Sequence, residues 1–173
     1  MCIRDSSILF FRMYGLFLVL PVFSALAMGL DQATPLLVGL AFGAYGVTQG
    51  ILQVPFGMLS DRIGRKPVIM GGLLIFVLGS VMAAVTDSVY WMIAARFLQG
   101  AGAVSSAIFA LIADLTRPEV RTRANAFLGG SIGISFGIAI LSAPFLSQAF
   151  GLDGLFWLIS ANTMLSMGTV SYT

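Results

Sequence analysis

Gly57-Met58-Leu59-Ser60-Asp61-Arg62-Ile63-Gly64-Arg65-Lys66-Pro67 is a short polar stretch between two apolar runs, and it holds four of the chain's sixteen charged side chains. Gly57 leaves room for a neighbouring helix to approach closely, and Gly64 permits a tight turn. Pro67 suits the first turn of the next helix, where its missing N–H costs least. Asp61 is placed to receive backbone N–H groups from a nearby helix N-terminus. Arg62 and Lys66 face lipid phosphates or water, whereas Arg65 needs a partner if it folds back under the helices. Asp114, at the end of a later apolar run, is the candidate. Taken singly, each charge reads as a topogenic or snorkelling residue. Taken together, they read as a conformational latch at a membrane surface.

The composition supports a membrane surface there. Hydrophobic residues make up 58% and charged residues 9% of 173 residues, against about 25% charged in soluble domains. A soluble fold has too few charges here to cover so much apolar surface, whereas hydrocarbon solvates it directly. The net charge of +2 is small and scattered, which argues against a nucleic-acid partner. A single cysteine excludes an intramolecular disulfide, and the absence of histidine removes Ser-His and Cys-His catalysis and imidazole metal sites. No cofactor, metal site or enzymatic activity is expected.

Six continuous apolar segments, at 8–30, 36–58, 68–86, 90–113, 124–150 and 155–172, each approach the length needed to cross a bilayer. Continuous rather than alternating runs favour helices over barrel strands. The expected fold is therefore an all-α integral membrane bundle of six transmembrane helices. Arg4, Arg12, Arg62, Arg65, Lys66, Arg117, Arg121 and Arg123 fall on one side, while the connections on the other contain Asp31, Asp87 and Asp153. By the positive-inside rule the basic side, with the N-terminus, is cytoplasmic. Residues 1–7 read as a non-native or flexible N-terminus, and Val170-Ser171-Tyr172-Thr173 has a similar look. The chain then reads as a fragment of a longer protein.

The second segment carries Gly39, Gly43, Gly46 and Gly50 before Pro55, and the fifth carries Gly129, Gly133 and Gly137 before Pro144. Three segments apart, these patterns run in opposite directions across the membrane, as in the inverted repeats of transporters. Close helix packing explains the same glycines without a repeat. Arg96 lies well inside the fourth segment, where an unpaired guanidinium costs about 3 kcal/mol on insertion scales. Gln99 follows one turn on, on the same face. Arg96 reads either as a cavity residue or as a structural tether. Tyr45, Gln49 and Gln53 form one polar stripe on the second segment, suited to substrate contact or to helix–helix hydrogen bonding.

Gly57-x-Leu59-Ser60-Asp61-Arg62-x-Gly64-Arg65-Lys66 resembles motif A of the major facilitator superfamily. Arg96-Phe97-Leu98-Gln99-Gly100-Ala101-Gly102 resembles its motif B. Arg12-Met13-x-Gly15-Leu16-Phe17-x-Val19-Leu20-Pro21-Val22 is most similar to YajR-type members, near the drug–proton antiporters. The resemblance covers nearly the whole chain. It implies the N-terminal six-helix half of a twelve-helix fold, built of two inverted three-helix repeats, with the C-terminal half missing. It further implies alternating-access transport of small molecules, coupled to protons and directed outward, in a bacterial inner membrane. In that scheme Gly57 and Asp61 contact the other half when the cytoplasmic side is closed. Arg65 and Asp114 complete a charge relay, and Arg96 sits in the cavity and couples proton movement. Two departures stand against it: the glycines before Pro144 form only part of the antiporter motif C, and no Asp or Glu lies mid-helix. The alternative is a non-transporting six-helix membrane module, a receptor or assembly partner.

Overall fold

Thr34 and Pro35 show how locally the helix starts are written. The Thr34 Oγ1 accepts the Leu37 N–H at 3.3 Å, and Pro35 fills the first helical position, where a missing donor costs nothing. The structure, a computed structural model, describes residues 2–102, 104–115, 117 and 121–171. Its helices are α1 Cys2–Val19, α2 Phe23–Ala27, α3 Pro35–Ile63, α4 Arg65–Ala84, α5 Val89–Ala101, α6 Ser105–Leu115 and α7 Arg121–Ser171. Among the described residues there is no strand. Met1, Tyr172 and Thr173, which carry part of the expectation of non-native ends, lie outside the described residues. Residues 2–7 continue α1 as helix.

These elements make six passes. The first apolar segment divides at Pro21 into α1 and α2, because proline lacks the N–H that a continuous helix needs. The fourth divides at Gly102 into α5 and α6. The last two are joined through Gly151, whose φ of 67° and ψ of −168° are not helical.

The chain reverses at Gly151. Along 121–150, Ser135 donates to the Phe10 carbonyl at 3.2 Å and Ser142 shares a hydrogen bond with the Tyr14 hydroxyl at 3.1 Å. Along 152–171, Asn162 donates to the Phe11 carbonyl at 2.6 Å, and Ile159 packs beside Gly15. The first arm thus runs parallel to α1 and the second antiparallel, which places two passes on the same helix.

The two ends of the bundle differ in charge. At one end the Asp31 N–H donates to the Asp87 carbonyl at 2.8 Å, joining the α2–α3 and α4–α5 connections. At the other lie the α3–α4 junction and the end of α6, with Arg62, Arg65, Lys66 and Arg117. One core cluster gathers Phe23, Val38, Phe76, Met92, Leu155 and Phe156 near the first end; a second gathers Met13, Ile69, Leu73, Val104, Ile108 and Leu128 toward the other. The outer surface is apolar: Leu36, Leu141 and Phe145 are 81%, 73% and 76% exposed. Such a surface is stable only against lipid or a partner.

Candidate functional site

Ser60, Asp61 and Arg62 occupy the last turn of α3, which runs five residues beyond the expected end at 58. Gly64 then adopts φ 100° and ψ 152°, a backbone essentially confined to glycine, and α4 starts at once with Arg65. This turn aims Arg65 back across the junction. Its Nε donates to Asp114 Oδ2 at 2.9 Å, its NH1 donates to Ser60 Oγ at 2.6 Å, and it also pairs with Asp61. Ser60 Oγ in turn donates to the Gly57 carbonyl at 2.6 Å. The hydrogen bond that Arg65 donates to Asp114 raises Arg65 above the usual guanidinium range. Arg62 and Lys66 point into the exposed surface. A Cβ on Gly57 would sit 3.5 Å from Ser106 Oγ on α6, and that hydroxyl donates to the Gln53 carbonyl at 2.8 Å. Arg65 and Asp114 are thus brought together as anticipated, and Asp61 pairs with the Arg65 side chain at the start of α4.

A second group lies in the bundle interior. Arg96 is 5% exposed; its NH1 donates to Gln99 Oε1 at 3.1 Å, and Gln99 Nε2 donates to Ser80 Oγ at 2.7 Å. Ser80 closes the chain on the Phe76 carbonyl at 2.8 Å. The guanidinium carbon lies 4.3 Å from the Phe23 ring centroid, 5.2 Å from Phe156 and 5.9 Å from Tyr45. Three rings from α2, α7 and α3 therefore surround one cation, an arrangement that lowers the cost of burying it. Arg96 and Tyr45 line a cavity of about 200 Å³ with Leu16, Leu20, Phe42 and Gly46. Two larger hollows, about 340 Å³ beside α1 and about 500 Å³ along α3, carry no charged side chain.

Gly100, which the motif B resemblance groups with Arg96 and Gln99 as a cavity and coupling residue, makes a close packing contact. A Cβ there would stand 2.5 Å from the Tyr45 carbonyl oxygen, so α3 and α5 touch through it. For Gly129, Gly133 and Gly137, expected to serve helix packing, an added Cβ would meet nothing within 4 Å among the described residues. They, with Pro144, lie on an exposed face of α7. Gly39, Gly43, Gly46 and Gly50 are equally open on α3. Gln49 and Gln53 are half-buried, with the Gly100 contact beside the Gln49 amide.

Sequence reasoning missed Arg12. It was counted as a charge at the start of the first segment, yet it is 1% exposed. NH1 donates to Ser105 Oγ at 2.8 Å and NH2 to the Gly102 carbonyl at 2.7 Å, with the Phe76 ring 5.3 Å away. Those acceptors flank the α5–α6 interruption, where helical partners are lost. The cation also stands at the C-terminal end of α5, the favourable end of its dipole. A charge inside an apolar run was the available signal, the same signal that singled out Arg96.

The sequence pattern of the Major Facilitator Superfamily matches residues 6–171. The chain belongs to this superfamily. It is 52% identical over 149 residues to the inner membrane transport protein YajR of Escherichia coli, covering 86% of this chain and 33% of YajR. It is 36% identical over 111 residues to multidrug resistance protein D of the same organism, covering 63% of this chain and 26% of that protein. The chain therefore spans a third or less of these two curated relatives. The solved structure of the POT family transporter PepTSo superposes with a TM-score of 0.86 at 16% identity, covering 99% of this chain and 36% of PepTSo. At that identity the likeness speaks for the fold alone: half of a major facilitator bundle.

Proposed function

We propose that this chain is the N-terminal half of a secondary active transporter that works by alternating access and exports small molecules in exchange for protons. The observation that carries the reading is the Arg65–Asp114–Asp61–Ser60 cluster at the basic end of the bundle. It joins three helix ends through one side chain, so a small change in charge at Asp61 or Asp114 alters the contact between α3, α4 and α6. The open glycine faces on α3 and α7 support a C-terminal six-helix half as the missing partner, because small residues let helices slide and tilt at close range. The names of YajR and multidrug resistance protein D support inner-membrane transport and efflux. The basic end, with the N-terminus, then faces the cytoplasm of a bacterial cell. Arg96, Gln99 and Tyr45 line the path of the solute, with Gln49 and Gln53 below them on α3. Protons enter through Asp61 and Asp114 or through carboxylates of the other half.

The test uses everted membrane vesicles carrying the intact gene product and a pH-sensitive dye. An exported compound collapses part of the imposed proton gradient in wild type and not in Asp61→Asn. Proton flux that is identical in both, or absent for every compound of a broad efflux panel, contradicts the reading.

A further inference from the structure

Arg12 and Arg96 put two positive charges inside this bundle, and among the described residues no carboxylate pairs with either. A guanidinium keeps its proton at any accessible pH, so titration does not relieve the charge. Burying it without an anion costs several kcal/mol even after relaxation. The rings around Arg96 reduce that cost but supply no oxygen in the guanidinium plane, where its N–H donors point. Arg96 Nε and the Tyr45 hydroxyl are both buried and both without a hydrogen-bond partner. Buried polar atoms of this kind are rare in native proteins and call for an explanation. Both residues line the same cavity of about 200 Å³, whose remaining walls are Leu16, Leu20, Phe42 and Gly46. Tyr45 also lies within electrostatic reach of both guanidinium groups, so the region around its hydroxyl is positive.

We propose that this cavity binds a carboxylate. Its oxygens accept from the Arg96 guanidinium and the Tyr45 hydroxyl, while an aliphatic or aromatic remainder lies on Leu16, Leu20 and Phe42. The inference rests on the transporter reading above and deepens it by naming small amphipathic organic acids as the solute class. A hollow of this size suits an acid of roughly ten heavy atoms and is small beside the usual 300–1,000 Å³ ligand site. The same chemistry has a second source, an Asp or Glu side chain of the C-terminal half.

Thermal unfolding of the purified intact protein with benzoate, and with its neutral analogue benzamide, separates these cases. Benzoate raises the midpoint saturably and benzamide does not. Arg96→Gln weakens the apparent benzoate affinity tenfold or more and Tyr45→Phe about threefold. Arg96→Lys, which keeps the charge, provides a second folded background if the glutamine variant is unstable. Benzoate binding that emerges only after a buried carboxylate of the C-terminal half is replaced by its amide assigns the carboxylate to the protein. Equal shifts by benzoate and benzamide, or no benzoate effect in any of these backgrounds, overturn the proposal. Transport itself is read separately, by two-sided labelling of the cavity. A protein that labels from both membrane faces yet ignores benzoate throughout keeps the transport reading and loses this one.

Discussion

Arg12 and Arg96 reach similar burial by different means. Arg12 is held by two oxygens at a helix interruption, Arg96 by rings and one amide. Removing a charged donor from two buried acceptors costs about 1.5–3 kcal/mol per bond. Part of that is offset here because a lone buried cation also disappears. Arg12→Met therefore lowers stability by about 3 kcal/mol and Ser105→Ala by about 1 kcal/mol, both measurable as thermal unfolding of the purified protein. The glycines separate in the same assay. Gly100→Ala drives a methyl into the Tyr45 carbonyl and costs about 1–3 kcal/mol. Gly133→Ala clashes with nothing among the described residues and gains up to about 1 kcal/mol of helix propensity, so in the intact protein it costs less than Gly100→Ala, and only where the other half packs on this face.

At the scale of elements, each join between helices has its own device. Gly64 allows α3 to pass into α4 without a loop, and its φ of 100° excludes a side chain at little cost only for glycine. Gly64→Ala should lower stability by about 1–3 kcal/mol and loosen the Arg65–Asp114 contact, seen as faster amide exchange across 57–67. Much of this level was legible from the sequence. Apolar runs gave the passes, and the Gly57–Lys66 pattern located the junction and its Asp114 partner. The interruption at Gly102 was not legible, since Gly100, Ala101 and Gly102 entered only as the end of a motif on one continuous apolar segment. What satisfies the freed backbone there is tertiary: Arg12, ninety residues away in sequence, donates to the Gly102 carbonyl. The exposure of Gly129, Gly133 and Gly137 was hidden for a related reason. A small residue signals a close approach, but its spacing does not say whether the approaching helix belongs to the same half. Gly100, grouped with Arg96 by sequence, packs against the α3 backbone instead.

At the scale of the whole molecule, the proposed latch rests on weak contacts. Asp61 and Asp114 side chains are 62% and 56% exposed, and the Arg65 side chain 19%. Ion pairs so open to water contribute about 0–1 kcal/mol each. A contact of that size shifts a two-state balance by about fivefold at most, as the proposed alternation between two open states requires. Asp114→Asn should therefore change the ratio of the two open states by less than about fivefold while leaving the unfolding midpoint within a few degrees. The central claim is that the cavity beside Arg96 opens to each side of the membrane in turn, and labelling position 42 tests it most directly. The intact protein, with its own cysteines replaced by serine and with Phe42→Cys, is treated with a membrane-impermeant maleimide in right-side-out and everted vesicles. Alternating access predicts labelling from both faces, with Asp61→Asn raising the yield from the basic face. Labelling from one face only, unchanged by Asp61→Asn, would contradict the account.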